Sequence, residues 1–126
     1  MEIKGVHKGS CHCASVEFEV DLGNGFEELS RCNCSMCARR GAAVATVPLA
    51  ALTILKGKDQ LSLYQFNTNT VEHYFCSKCG IYTHHRQRSN PNRYAINIAC
   101  IEGVNPFELG NIVTTDGLNH SCDRDK

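Results

Sequence analysis

The chain has 126 residues, and its 13 lysines and arginines balance its 13 aspartates and glutamates, so the formal net charge is zero. This length favours one domain, residues 1–126, and the balanced charge disfavours a nucleic-acid partner, which normally requires a clustered excess of basic side chains. No apolar run approaches the roughly 20 residues that span a bilayer, and no apolar signal segment follows Met1, so we expect a cytoplasmic protein with no membrane partner.

Short stretches of alternating polar and apolar residues dominate the chain and predict β-strands. In chain order, strands are predicted at residues 15–20, 43–47, 52–55, 61–66, 71–75, 81–85 and 93–98. The strands at 71–75 and 81–85 flank the segment CSKCG, which predicts a hairpin whose turn carries two cysteines. One helical turn is expected, with Ser35 as its N-cap and Gly41 at its end. The predicted fold class is mainly β.

Seven of the nine cysteines fall into three local groups. The groups are Cys11 and Cys13, then Cys32, Cys34 and Cys37, and finally Cys76 and Cys79. An odd number of cysteines without a visible signal segment disfavours a disulfide framework. Tight local groups instead suit a tetrahedral metal, because each group brings two or more sulfurs to one ion. The spacing therefore predicts metal sites, with zinc as the metal.

The segment Cys76-x-x-Cys79-Gly has the pattern of a zinc knuckle, in which one tight turn supplies two thiolates. Such a knuckle needs two further ligands, and Cys11 and Cys13 can supply them. A closed site of four thiolates is usually structural. We therefore predict a structural zinc on these four cysteines.

The remaining trio, Cys32, Cys34 and Cys37, has no obvious fourth protein ligand. Three protein ligands with one open position are typical of catalytic or exchangeable zinc. The alternative is that a histidine or Cys100 completes a second structural site. Cys100 ends an apolar strand at residues 96–100, where a small buried side chain is the more ordinary interpretation. Cys122 lies in a polar tail and is expected to be a mobile free thiol.

Zinc bound by three thiolates has much of its Lewis acidity quenched, so it is less suited to polarising water than a histidine-rich site. It is well suited to accept a fourth sulfur, because metal coordination lowers the pKa of a thiol. Two arginines, Arg39 and Arg40, follow the trio. They can offset its negative charge or bind a substrate carboxylate, although a solvated pair is an equally ordinary interpretation.

The histidines near the cysteines are less informative. His12 lies between two predicted ligands, so its side chain is expected to point away from the metal. His84 and His85 are candidates for contacts with a zinc ligand or with substrate, and Arg86 is a further candidate for orienting substrate. A partly buried strand histidine is the alternative for His84 and His85.

The four segments GSCHC, CNCSMCARRG, YFCSKCGIYTHHR and SNPNRYAIN together resemble the glutathione-dependent formaldehyde-activating enzyme family. The resemblance extends over about residues 5–107. It implies a small fold of coiled antiparallel sheets around zinc, similar to that of methionine sulfoxide reductase B. It also implies structural and catalytic zinc ions on the two sets of cysteines named above, and the condensation of glutathione with formaldehyde.

Three functions follow as hypotheses. The first is a zinc-dependent carbon–sulfur lyase or synthase that adds a zinc-bound thiol, glutathione by resemblance, to formaldehyde or a similar small electrophile. The second is a non-catalytic zinc module for protein or nucleic-acid interaction. The third is a thiol-redox protein using Cys76 and Cys79, which requires a reactive cysteine of low pKa. In the first hypothesis, the catalytic trio turns over substrate while the closed site holds the fold together.

Overall fold

A computed structural model describes residues 3–65, 71–87 and 91–116 of the chain. The described residues are mainly β, which confirms the predicted fold class. The strands are β1 (Val6–Ser10), β2 (Glu17–Asp21), β3 (Glu27–Cys32), β4 (Val44–Pro48), β5 (Leu52–Lys56), β6 (Leu61–Tyr64), β7 (Glu72–Cys76), β8 (Tyr82–Arg86), β9 (Arg93–Asn97) and β10 (Val113–Thr115). The α-helix is α1 (Ser35–Arg40), and short 3-10 helices lie at Leu49–Ala51, Lys58–Gln60, Ile98–Cys100 and Pro106–Glu108.

The strands form two sheets. One has three strands in the order β1-β2-β5, and the other has seven in the order β10-β3-β4-β9-β8-β7-β6. Neighbouring strands are antiparallel, as expected, except for β10 and β3, which pair in parallel. The larger sheet is therefore mixed. The expected similarity to methionine sulfoxide reductase B stays a prediction.

The main core lies where β2, β4 and β9 bury their apolar side chains. In β2 the alternate residues Phe18 and Val20 are fully buried, and they pack with Ala45, Ile96 and Ile98 in one apolar cluster. Gly9 of β1 passes so close to the Phe18 ring that a Cβ there would lie 2.3 Å from a ring carbon. The alternating pattern that predicted these strands thus reflects one buried face, as the pleat of a strand requires.

Strands β1, β3 and β10 were not predicted, because their sequences lack an alternating apolar pattern. All three residues of β10 are exposed, and β3 contains no buried residue. In β3 the register with β4 shifts between Glu27 and Ser30, and Glu28 adopts a positive φ of 52°. Exposed or irregular strands are held by backbone pairing, which leaves little trace in the side chains.

Two of the predicted strands end earlier in the structure. The strand predicted at 61–66 ends at Tyr64, and Phe66 lies outside the described residues. The strand expected at 96–100 is wrong beyond Asn97, because Ile98–Cys100 form a 3-10 helix. The Asn97 side chain accepts a hydrogen bond from the Ala99 backbone N–H at 3.2 Å, and this cap turns the chain out of the sheet.

None of the helices among the described residues has the length and apolar character that a membrane crossing needs.

Candidate metal centres

Four cysteines meet where two chain connections come together. Cys11 and Cys13 lie in the connection from β1 to β2, whereas Cys76 and Cys79 lie at the hairpin turn from β7 to β8. Their four sulfurs all lie within 4.8 Å of one another. Two of the Sγ–Sγ distances, Cys11 to Cys13 and Cys13 to Cys76, are 3.7 Å. A tetrahedral site with Zn–S bonds of about 2.3 Å places its sulfurs about 3.8 Å apart, so this four-cysteine cluster fits a zinc ion.

The backbone around the four-cysteine cluster has the form of a metal knuckle. The Gly80 N–H donates to the Cys76 carbonyl at 2.8 Å, and the Lys78 N–H approaches the Cys76 sulfur at 3.4 Å. Gly80 has a φ of 77°, in the left-handed region that glycine adopts without strain. The Val16 N–H donates to the Cys11 sulfur at 3.4 Å. These backbone donors stabilise thiolate sulfur in the ligand position.

Local contacts shift the pKa values of Cys11, Cys13 and Cys79 in different directions. Burial raises the pKa of Cys11, while its hydrogen bond from the Val16 backbone acts in the opposite direction. Hydrogen bonds from the side chain and backbone of Ser15 lower the pKa of Cys13 to about 6. Backbone hydrogen bonds, the first involving Ile81, also lower the pKa of Cys79. Part of the cluster is therefore already inclined towards the thiolate form that a metal requires.

The remaining trio of cysteines lies at the junction of β3 and α1. Cys32 ends β3, while Cys34 and Cys37 belong to the first turn of the helix, and the three sulfurs lie within 4.8 Å of one another. The predicted helix is confirmed, but its N-cap is Cys34 and not Ser35. The Cys34 sulfur accepts the Cys37 N–H at 3.2 Å, which is the role that a Ser or Asp oxygen usually takes.

This three-cysteine cluster has no fourth protein ligand within the part of the chain that the structure describes. Among His, Cys, Asp and Glu residues in 3–65, 71–87 and 91–116, only the trio gathers at this place. The three cysteines are all partly exposed. Burial raises the pKa of Cys34, but hydrogen bonds from the Cys37 and Met36 backbones and from neighbouring thiols outweigh it, so the pKa is lowered. Burial strongly raises the pKa of Cys37.

The two arginines after the trio have different surroundings. Arg39 is exposed, and its Nη1 donates to the Ser35 carbonyl at 2.8 Å. Arg40 turns inward, with its guanidinium carbon 3.6 Å from the centre of the Tyr82 ring. Its Nη2 donates to Nδ1 of His73 at 2.8 Å. The expectation of a solvated pair therefore describes Arg39, whereas Arg40 is part of a buried contact.

The histidines of β8 are a buried residue, His84, and a partly buried one, His85. The His84 ring stacks on Tyr74 with centroids 4.8 Å apart, its Nδ1 lies 2.8 Å from the Thr83 hydroxyl, and burial lowers its pKa to about 4. His85 lies 2.5 Å from the Tyr82 hydroxyl, and burial lowers its pKa to about 3. The buried-strand interpretation thus describes both, which disfavours their use as direct substrate contacts.

Arg86 and Cys100 belong to neither cluster. Arg86 pairs with Glu72 at 3.5 Å and donates to the Pro91 carbonyl at 2.6 Å. Cys100 is partly buried, its sulfur lies 3.5 Å from the Tyr82 carbonyl, and burial raises its pKa to about 12. His12 is exposed, and Cys122 lies outside the described residues.

Sequence reasoning missed two residues beside the trio, His73 and Tyr82. His73 is directly opposite His85 in the β7–β8 register and is 4% exposed. The predicted hairpin contained this signal, because pairing its strands through the CSKCG turn brings residue 73 near residue 85. Tyr82 carried no comparable signal, since its contact with Arg40 joins distant parts of the chain.

Comparison with known proteins supports the motif-based expectation. The family model described as glutathione-dependent formaldehyde-activating enzyme matches residues 6–111. The chain belongs to this family. A curated relative from Emericella nidulans, named putative glutathione-dependent formaldehyde-activating enzyme, is 30% identical over 60% of the chain and 40% of its own length. A relative of the same name from Penicillium rubens is 30% identical over 66% of the chain and 46% of its own length.

The chain thus spans less than half the length of these two curated family members. It matches a solved structure more completely, the crystal structure of a Rhodobacter sphaeroides protein from a structural genomics programme. That protein is 55% identical, superposes with a TM-score of 0.83, and the match covers 86% of this chain and 99% of that one.

Proposed function

We propose that the protein is a zinc-dependent carbon–sulfur lyase of the S-(hydroxymethyl)glutathione synthase type, which joins glutathione to formaldehyde. In this reaction the thiol sulfur forms a bond to the formaldehyde carbon, the carbonyl π bond breaks, and the oxygen takes up the proton of the thiol. The substrates come from the family's description, and the site comes from the cysteine geometry. In this proposal residues 1–126 act as one domain and in the cytoplasm.

The observation that carries the proposal is the open three-cysteine cluster. Its sulfurs lie within 4.8 Å of one another, and the described residues add no fourth ligand. Because all three cysteines are partly exposed, a small thiol can approach them from solvent. A zinc ion bound there would supply a positive centre that lowers the pKa of an incoming thiol.

The two clusters take different roles in this proposal. The four-cysteine cluster has a complete ligand set, which is the usual form of structural zinc, whereas the trio has the open form of catalytic zinc. Arg39 is exposed on the helix that carries two of the trio, so it is available to a carboxylate of the thiol substrate. His84 and His85 are assigned no direct contact with substrate, since His84 is buried and the partly buried His85 already contacts the Tyr82 hydroxyl.

The proposal is tested by the rate at which glutathione and formaldehyde combine. Two-dimensional exchange NMR resolves the free thiol from its hydroxymethyl adduct, and it measures the catalysed rate above the spontaneous one. We expect zinc-loaded protein to accelerate the exchange and Cys34→Ser to return it to the spontaneous rate. Serine retains an oxygen that can cap α1, so the variant should stay folded.

The matched control is Cys100→Ser, which changes a cysteine outside both clusters. It should exchange at the rate of the unsubstituted protein. Equal acceleration by the unsubstituted protein and by Cys34→Ser, both zinc-loaded, would remove the trio from the reaction. No acceleration by the zinc-loaded unsubstituted protein would instead favour the alternative of a non-catalytic interaction module.

A further inference from the structure

We propose that Arg40 is the positioning residue that supplies the counter-charge of the three-cysteine cluster and so sets its affinity for a metal. This inference rests on the proposed function only in assuming that the trio holds a divalent metal. It assigns to Arg40 a role that its neighbour Arg39 does not share. Three independent observations support it.

The first observation is position along α1. Residues three apart on a helix lie on one face with their Cβ atoms about 5–6 Å apart. Arg40 follows Cys37 by three positions, and Cys37 follows Cys34 by three. Arg39 is two residues from Cys37, a spacing at which helical side chains do not face each other. Arg40 therefore lies on the same face of α1 as Cys37.

The second observation is that the Arg40 guanidinium is held in place from two directions. It lies over the Tyr82 ring at 3.6 Å, and it donates through Nη2 to His73 at 2.8 Å. Tyr82 and His73 are 8% and 4% exposed, so both contacts belong to the interior. A flexible surface arginine is screened by water, whereas a guanidinium fixed against a buried ring exerts its charge through a lower dielectric.

The third observation is that the Arg40 charge lacks a carboxylate partner among the residues that the structure describes. Its Nη1 is buried and forms no hydrogen bond within the same residues. Nδ1 of His73 accepts the hydrogen bond from Arg40, because arginine can only donate. Nδ1 therefore carries no proton, and the ring adds no positive charge.

Arg40 is partly buried, and its Nη1 is removed from solvent. Removing part of a cation from water without an anion is costly, so an arrangement that does so points to a negative group close by. Tyr82 stays protonated, since burial raises its pKa well above the usual value. The thiolates of the three-cysteine cluster remain as the anions that can compensate Arg40.

The charge count shows what Arg40 contributes. Three thiolates and one divalent cation leave a net charge of about −1, which the guanidinium brings to about zero. A fourth anionic sulfur then approaches a neutral site instead of a negative one. Removing the positive charge at a separation of roughly 6 Å and an effective dielectric constant of about 20 should weaken metal binding by about 10- to 100-fold.

The experiment compares three variants, Arg40→Gln, Arg40→Lys and Arg39→Gln, by titration of the metal-free protein with Co²⁺ against a competing chelator. Thiolate-to-cobalt absorption reports the filling of both clusters, and the competition separates their affinities. We expect Arg40→Gln to weaken the three-cysteine cluster by about 10- to 100-fold and to leave the four-cysteine cluster unchanged. Arg39→Gln should leave both unchanged, within about three-fold.

Arg40→Lys distinguishes charge from packing, because lysine keeps the charge but loses the planar stacking and the fork of donors. Affinity within about three-fold of the unsubstituted protein supports the counter-charge. A loss in Arg40→Lys as large as in Arg40→Gln overturns it in favour of packing. If far-UV circular dichroism shows that Arg40→Gln does not fold, Arg40→Lys decides alone: affinity within about three-fold of the unsubstituted protein supports the counter-charge, and a loss of about 10-fold or more overturns it.

Failure of this inference and failure of the proposed function can be told apart, because the titration contains no thiol substrate. An unsubstituted protein that fills the four-cysteine cluster alone contradicts both. Equal affinities of Arg40→Gln and Arg39→Gln at the trio contradict the role of Arg40 and leave the proposed reaction intact.

Discussion

The two cysteine clusters offer the same ligand atoms in different surroundings. The four-cysteine cluster joins two connections whose sulfurs lie 3.7 Å apart although Cys13 and Cys76 are 63 positions apart in sequence. Cys11 and Cys76 are buried and form a small core with Val16. The trio comes from one short segment, and all its cysteines are partly exposed. The clusters therefore differ in ligand number and in enclosure and not in ligand type, although Cys13 of the four-cysteine cluster is exposed.

The sequence span enclosed by each cluster has an energetic consequence. A metal that closes a long loop removes more conformational entropy from the unfolded chain than one that closes a short loop. It also contributes its binding free energy to folding, because the site is not formed in the unfolded chain. The four-cysteine cluster should therefore dominate stability, and the trio should contribute little to it.

The largest expected effect is that of Cys76→Ser. Losing a buried thiolate from a closed site removes a structural metal whose binding is worth about 10–16 kcal/mol in small zinc peptides, which exceeds the stability of most domains of this size. We expect the variant to lack a cooperative thermal transition by circular dichroism at pH 7. Cys34→Ser is the matched control and should unfold cooperatively near the temperature of the unsubstituted protein. If both variants melt alike, the energetic contrast between the clusters is wrong.

The next effect concerns the rate of metal loss. With zinc in both clusters, excess chelator should remove one equivalent rapidly from the partly exposed trio, because an open position admits the chelator as a ligand. The second equivalent should leave only at the rate at which the fold opens, since Cys11 and Cys76 are buried. The measurement is absorbance of a zinc-binding dye over time, and Cys34→Ser should lose the fast phase alone. Release of both zinc equivalents in a single kinetic phase would contradict the expected difference between the partly exposed trio and the four-cysteine cluster.

The β7–β8 hairpin shows how much of the fold could be predicted from the sequence. Its alternating strands and the CSKCG turn follow from local patterns, and the structure has strands Glu72–Cys76 and Tyr82–Arg86 on either side of that turn. The division of the cysteines into four and three also followed from spacing, and the described sulfurs gather in those two sets. Local chemistry was sufficient for the hairpin and the trio, because each uses residues close in sequence. The assignment of Cys11 and Cys13 to the distant knuckle followed from the four ligands that a closed zinc site needs.

The surroundings of the trio could not be predicted in the same way. Cys34 caps α1 in place of the predicted Ser35. Its sulfur accepts the Cys37 N–H and also belongs to the three-cysteine cluster. The contacts of Arg40 with His73 and Tyr82 join residues 33 or more positions apart, and no local pattern encodes them. Strand β10 pairs with β3 beside Cys32, yet all its residues are exposed. These features depend on tertiary packing, which overrides local propensity.

The smallest expected effect is that of replacing two glycines, one beside each cluster. Gly80 follows the knuckle with a φ of 77°, and Gly41 ends α1 with a φ of 69°. A Cβ at either position would meet no atom within 4 Å, so alanine adds only left-handed strain, about 1–2 kcal/mol in each case. Both variants should therefore lose similar thermal stability, about 4–8 °C for a domain near this size.

The two glycine variants should nevertheless differ in metal release. Gly41 donates its N–H to the Cys37 carbonyl at 2.9 Å, so strain there loosens the helix that carries two of the trio. Gly41→Ala should accelerate the fast phase of chelation, whereas Gly80→Ala should leave the fast phase unchanged and accelerate the slow one. Acceleration of the fast phase by Gly80→Ala would mean that the clusters open together, because strain at the knuckle would then reach the trio.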